Sequence, residues 1–151
     1  DYTYNSDQSW VEIRLAEVYL NRAEANFRLG NTGAALADMN AVRTRPGVGL
    51  PAKSGLTGEE LMAAIRQERK IELAYEGHLY WDMRRWKLAH KEYNNYRCHG
   101  MKITSEGADN RYEYVDCDFQ DRKFLEKTYV LPIPSSELSN NSGIEQYDEW
   151  K

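Results

Sequence analysis

Little in this sequence suits covalent or metal chemistry. Two cysteines stand among 151 residues, too few for a metal cluster by themselves, and no C-x-x-C spacing occurs. There is no G-x-S-x-G, no G-x-x-x-x-G-K-[ST] and no G-x-G-x-x-G, so nucleophile elbows, phosphate loops and dinucleotide-binding turns lack their backbone motif. The three histidines, His78, His90 and His99, all lack a glutamate three residues earlier, and H-E-x-x-H is missing, which excludes the di-iron bundle and zincin patterns. No catalytic residue, metal ligand or cofactor is therefore expected. No apolar run approaches the roughly 20 residues of a membrane span. Positive charge is short as well: 20 Lys and Arg face 24 Asp and Glu, a formal net charge of −4, which argues against nucleic acid as the main partner. The N-terminus DYTYNSDQSW is acidic and polar, without an apolar signal core or a lipidation cysteine, so no export signal is expected within this chain.

What is present describes a globular protein with a wet surface. Charged residues make up 29% and hydrophobic ones 41%, with a mean hydropathy of −0.80. The length suits one domain, or at most two small ones; a single domain over 1–151 is expected. The 11 Tyr and 4 Trp suit either a thick core or a carbohydrate surface.

Ser9-Trp10-Val11-Glu12 reads as a capping box that opens a helix. Ile13, Ala16, Leu20, Ala23 and Phe27 follow at steps of three and four, one stripe of an amphipathic helix. Gly30 supplies the left-handed position that ends it. A second helix from Asn31 or Thr32 buries Ala35, Met39 and Val42 and stops before Arg45-Pro46-Gly47. The resulting hairpin, over 1–45, also carries Tyr19, Ala23, Gly30, Ala35 and Met39 at the spacing of one tetratricopeptide unit; an ordinary small-residue helix hairpin fits the same pattern.

After a Gly/Pro loop over 46–56, Thr57-Gly58-Glu59-Glu60 forms a second capping box and opens a helix expected to reach Gly77. Helices are expected over 57–88. Leu61, Met62, Ala64, Ile65, Ile71, Leu73 and Tyr75 share a broad apolar face, with Glu68, Arg69, Glu72 and Glu76 inside it. A shorter helix runs from Tyr80 to about Leu88 and holds Trp81 and Trp86, both expected in the core. Over 93–151 the pattern changes to a β-hairpin and coil. Met101-Lys102-Ile103 and Tyr112-Glu113-Tyr114-Val115 alternate like strands on either side of Gly107 and Asn110. Tyr129 to Pro134 is too proline-rich for a central strand. Ser135-Ser136 is expected to cap a short turn holding Glu137 and Leu138, and coil follows.

Three groups of residues could carry chemistry. Glu68, Glu72 and Glu76 recur every four residues and line one ridge. Without metal-ligand companions they are expected to form structural ion pairs with Arg69 and at least one of Arg84 and Arg85, since unpaired buried charge costs several kcal/mol. Asp116, Asp118 and Asp121 lack the glycine and distal glutamate of a calcium loop and read as a solvated acidic turn. Tyr93, Asn95, Tyr96 and Arg97, with Asn94 and His99 among them, offer flat aromatic faces beside amides and a cation, which is what a sugar ring and its hydroxyls need; an ordinary exposed loop has the same composition. If Ile103 pairs with Tyr112, the same register sets Cys98 opposite Cys117. Directly opposed residues lie within disulfide reach, so a Cys98–Cys117 bond is expected.

Four segments resemble the SusD/RagB family. They are Ile13-Arg14-Leu15-Ala16-Glu17-Val18-Tyr19-Leu20-Asn21-Arg22-Ala23-Glu24-Ala25, Glu68-Arg69-Lys70-Ile71-Glu72-Leu73-Ala74-Tyr75-Glu76-Gly77-His78, Tyr80-Trp81-Asp82-Met83-Arg84-Arg85-Trp86 and Leu131-Pro132-Ile133-Pro134, in the family's order and across nearly the whole chain. Leu79 departs from the arginine usual in the family, and Ile144 to Trp150 follows the family's ending only loosely. Since family members are much longer, the resemblance implies the C-terminal part of one. It implies an outer-membrane lipoprotein on the outward-facing cell surface of a Gram-negative bacterium, binding an oligosaccharide or other nutrient without catalysis and lidding a SusC-like TonB-dependent transporter. Membrane attachment would then run only through a lipid anchor absent from this chain. The quoted motifs are scaffold signatures and carry no sugar-contacting residue. The fold expected is mainly α: a repeat-like hairpin, two further helices, a small β-hairpin and an irregular tail. Two other readings stay open, a tetratricopeptide-like protein-interaction module without sugar binding and an enzyme built on the glutamate ridge. An exposed apolar helix face is expected where further helices would pack.

Overall fold

A computed structural model of the chain describes residues 9, 11–107, 109–117 and 122–151. The fold is mainly helical with one two-stranded antiparallel hairpin. It divides into two compact units between Tyr80 and Trp81.

The first unit is built on three helices, α1 (Leu15–Arg28), α2 (Thr32–Arg43) and α3 (Gly58–Glu72). Helix α1 turns into α2 through a left-handed Gly30 with φ +80°. There the Gly30 N–H donates to the Phe27 carbonyl and the Asn31 N–H to the Asn26 carbonyl. These two bonds satisfy carbonyls that the helix end would otherwise orphan, and the conformation they need is cheapest for glycine. Small residues let the helices approach. Ala23, Ala35 and Ala64 are buried with Met39, Leu61 and Ile65 in one cluster, and Leu20, Val42 and Leu73 form a second. Burying a side chain such as Leu61 or Ile65 contributes about 1.5–3 kcal/mol.

Several expectations about this unit are corrected. Helix α1 begins at Leu15 behind an extended Arg14 (φ −129°, ψ 158°) that makes no side-chain cap, so the Ser9–Glu12 box does not open it; Trp10 lies outside the described residues. Ile13 therefore precedes the helix and is exposed. Thr57 does occupy the N-cap of α3, but its hydroxyl accepts no capping bond. Helix α3 ends at Glu72 rather than Gly77, because the backbone turns left-handed at Tyr75 (φ 66°) and Gly77 (φ 81°). That break tucks Leu73 into the core and leaves Ile71 and Tyr75 exposed.

The unit boundary falls inside α4 (His78–Arg85), which starts two residues earlier and ends sooner than expected. Within the second unit Met83 and Ala89 are buried, whereas Trp81, expected in the core, is 66% exposed. A single-turn α5 (Ala89–Glu92) leads into the hairpin strands β1 (His99–Glu106) and β2 (Asp109–Asp116). Their register sets Ile103 opposite Tyr112, as expected. The tail holds more structure than coil: a 3-10 turn at Glu126–Tyr129, the six-residue α6 (Ser135–Asn140) behind Pro134, and a 3-10 turn at Asp148–Trp150. Gln146 bonds both the N–H and the carbonyl of Ile133 at 3.0 Å, and Trp150 Nε1 donates to the Val130 carbonyl at 2.7 Å. Backbone groups of this proline-rich segment are thereby satisfied by side chains near the end of the chain, Gln146 and Trp150.

Candidate functional site

The glutamate ridge is gripped by arginines from outside its own helix. Glu68 meets Arg43 of α2 at 2.5 Å, with both side chains nearly buried. Glu72 accepts from Arg14 Nη1 at 2.6 Å and from Arg45 Nη1 at 3.0 Å. Arg14 reaches on to Glu76, donating through Nε at 3.0 and 2.8 Å, and also donates to the Glu72 carbonyl. The Arg14 guanidinium holds the Glu76 carboxyl below the usual carboxylate range, and Arg14 is itself pushed above its ordinary value, chiefly by the bond to Glu76. The fork between Arg14 and Glu76 is a charge-assisted pair, which favours the ionised form of Glu76. The arrangement clamps α3 and the turn after it to the chain segments around α1 and α2.

The arginines expected as partners, Arg69, Arg84 and Arg85, also bond other groups. Arg69 donates to Asn21 Oδ1 at 2.5 Å. Arg84 donates to the carbonyls of Thr128 and Tyr129, at 3.0 and 2.6 Å, and stacks over the rings of Phe124 and Tyr129. Arg85 pairs with Asp82 at 2.8 Å. Arg43, Arg14 and Arg45 come from outside α3: Arg43 is the last residue of α2, Arg14 lies just before α1 and Arg45 just after α2. A second clamp went unread: Asp38 is buried and takes two bonds from Arg22, at 2.8 and 2.6 Å, and one from Asn26. Arg22 holds the Asp38 carboxyl below the ordinary range.

The aromatic loop leaves α5 at Tyr93. Asn95 takes a left-handed backbone (φ 58°) and donates its N–H to the Arg122 carbonyl at 2.7 Å, beside an isolated bridge between Tyr96 and Arg122. This kink folds the loop so that Tyr93 and Tyr96 meet edge to face, centroids 5.9 Å apart at 84°. Asn95, Tyr96 and Arg97 are exposed. The Tyr93 hydroxyl and Asn94 Oδ1 are buried without a hydrogen-bond partner among the described residues, and burial pushes the Tyr93 hydroxyl up. Unsatisfied buried polar atoms are uncommon and costly.

The hairpin carries the cysteines as its register requires, with the Cys117 N–H on the Cys98 carbonyl at 3.0 Å. The expected disulfide is not formed; both are free thiols. Side-chain direction is the reason. Cys117 Sγ sits 3.4 Å from the Cys98 carbonyl and leans over Gly100, where a Cβ would come within 3.2 Å of the sulfur. One residue further on, His99 Nε2 lies 2.7 Å from Asp116 Oδ1, and its ring stacks on Tyr114 with centroids 5.0 Å apart. No group of three or more metal-binding side chains is found among the described residues, and Asp118 and Asp121 of the acidic turn lie outside them.

The sequence profile of the SusD family matches residues 2–150. SusD-like protein P2 of Formosa agariphila is 30% identical over 146 residues, covering 92% of this chain and 25% of that protein. SusD-like protein P25 of the same organism is 35% identical over 147 residues, covering 96% and 25%. The crystal structure of a SusD-like protein from Bacteroides fragilis superposes with a TM-score of 0.77 at 33% identity, over 91% of this chain and 25% of that one. The chain thus spans about a quarter of the length of the relatives it matches.

Proposed function

We propose, because this chain belongs to the SusD family, that it forms the C-terminal part of a cell-surface protein that binds a glycan. Proteins of this family are in general non-catalytic glycan-binding components of SusC/SusD systems. On this reading the whole protein sits on the outward face of the outer membrane through a lipid anchor. It captures an oligosaccharide or similar nutrient and hands it to a SusC-like TonB-dependent transporter. The observation that carries the reading is the family match over almost the whole chain.

Within this chain the sugar is held at the loop of Tyr93, Asn95, Tyr96 and Arg97. The exposed Tyr96 ring, set edge to face by Tyr93, presents an apolar face to a sugar, while the Asn95 amide and Arg97 donate to hydroxyls. The test is a glycan array on the full-length protein, followed by titration of the best binder. Tyr96→Ala should weaken binding about tenfold, a change of about 1.4 kcal/mol. A folded full-length protein that retains no glycan would overturn the reading, and unchanged affinity in Tyr96→Ala would move the site elsewhere on the protein.

A tetratricopeptide-like interaction module is the second reading. It is favoured by an apolar groove of about 290 Å³ along α1 and α2, lined by Leu15, Ala16, Tyr19 and Val42 between Arg14 and Arg45. A full-length protein that captures a protein partner but no glycan would select it.

A further inference from the structure

The hairpin is the least covered element of the chain. Every residue of β1 and β2 is exposed except Gly100 and Val115. Met101, Ile103, Tyr112 and Tyr114 share one face and are between 58% and 71% exposed. A lone two-stranded hairpin is marginal in water, and three or more strands with an apolar face make an independently stable sheet. Both edges are open among the described residues, because the sheet has only these two strands. An open edge is a template for another strand.

Hydrogen-bond parity decides what the β2 edge can accept. The bond from the Cys117 N–H to the Cys98 carbonyl marks that pair as hydrogen-bonded. Antiparallel ladders alternate, so Val115, Glu113 and Arg111 turn their backbone groups toward Gly100, Lys102 and Thr104 of β1. Asn110, Tyr112 and Tyr114 turn theirs to the open edge. A second β2 can pair there antiparallel with Tyr112 opposite its own copy. Arg111 of each copy then faces Glu113 of the other, twice, at non-hydrogen-bonded positions whose Cα atoms lie about 4.5 Å apart. Opposite charges so placed stabilise a strand pair, and like charges destabilise it. Shifting the centre by one residue either way opposes Glu113 to itself or Arg111 to itself. On β1 the one register with opposed charges sets Lys102 against Glu106, the last residue of the strand, which gives a shorter ladder.

We propose that β2 is a self-association edge, whose partner is the β2 of a second copy of this chain in the Tyr112-centred register. The contact is isologous and closes as a two-fold dimer. It turns two hairpins into one four-stranded sheet with both Tyr112 rings at its centre and each Tyr114 beside the other copy's Asn110. The proposal is independent of the glycan reading.

Light scattering on the chain across a range of concentrations tests this. The chain itself should be dimeric. Arg111→Glu alone and Glu113→Arg alone should each weaken the dimer tenfold or more, because each puts like charges across the seam. Mixing the two single variants should restore a dimer, since the mixture faces opposite charges, and so should the double variant R111E/E113R. Circular dichroism identical to the parent shows that the exposed substitutions leave the fold intact. A parent chain that stays monomeric overturns the proposal. So does a dimer indifferent to either single substitution, or a failure of the mixture and the double variant to associate.

Discussion

Arg14 donates through Nε to both carboxylate oxygens of Glu76, at 3.0 and 2.8 Å, across 62 positions of sequence. The same guanidinium holds Glu72, so one side chain ahead of α1 locks the end of α3 and the turn that follows it. Replacing Arg14 by Ala should destabilise the chain by about 1–3 kcal/mol, less than a fully buried pair because Arg14 and Glu76 are part-exposed. Arg14→Lys should recover little of this, as an ammonium cannot fork between two carboxylates. Urea denaturation of the three proteins gives the comparison, and a Lys variant as stable as the parent would show that charge alone suffices.

The Glu68–Arg43 pair should weigh more heavily. Its side chains are only 7% and 14% exposed, so Arg43→Ala leaves a carboxylate with little water and should cost about 3–5 kcal/mol. Replacing both partners by methionine should return most of that loss, since the desolvation of the two charges disappears with them. A double variant as unstable as the single one would place the cost in packing.

Stability should also fall in acid with a defined sign. Glu76 and Asp38 have folded-state values below their ordinary ones, set by Arg14 and Arg22. A depressed carboxylate stabilises the fold above its unfolded value and loses that contribution as pH falls through the folded one. The melting temperature should therefore hold down to about pH 4, near the unfolded values, and drop below it. Arg14→Ala and Arg22→Ala should each flatten the drop. A parent profile that is level from neutral pH to about pH 2 would contradict the clamps.

Oxidation should join Cys98 to Cys117 without moving the strands. The backbone already opposes them through the Cys117 N–H bond to the Cys98 carbonyl, a pair whose Cα atoms lie about 5.5 Å apart, inside the disulfide range. The Cys117 side chain must rotate off Gly100 to reach Cys98. Thiol titration of the unfolded, unreduced protein should find two thiols before mild oxidation and none after, with a gain of about 3 kcal/mol from loop closure. Two thiols surviving oxidation of the folded chain would show that the register does not permit the bond.

Much of the architecture was legible because it rests on short-range rules. The spacing of Leu20, Ala23, Ala35 and Met39 marks two helices and their buried faces. Gly30 marks the turn between them, since few other residues accept its backbone. Opposing Ile103 to Tyr112 sets the whole hairpin register, because a period of two leaves no freedom once one pair is chosen. The aromatic loop was legible as composition, while the left-handed Asn95 that folds Tyr93 onto Tyr96 was not.

What only the tertiary structure decided is which charge meets which. The sequence placed Glu68, Glu72 and Glu76 on an apolar face and so required cations, but nothing local says that Arg43, Arg45 and Arg14 are among them. An ion pair depends on distance in space and on exclusion of water, and both arise only when α1 and α2 pack against α3. The same holds for Tyr75 and Trp81. Their apolar character is written in the chain, but a backbone break after Leu73 and the packing around α4 decide that they face water.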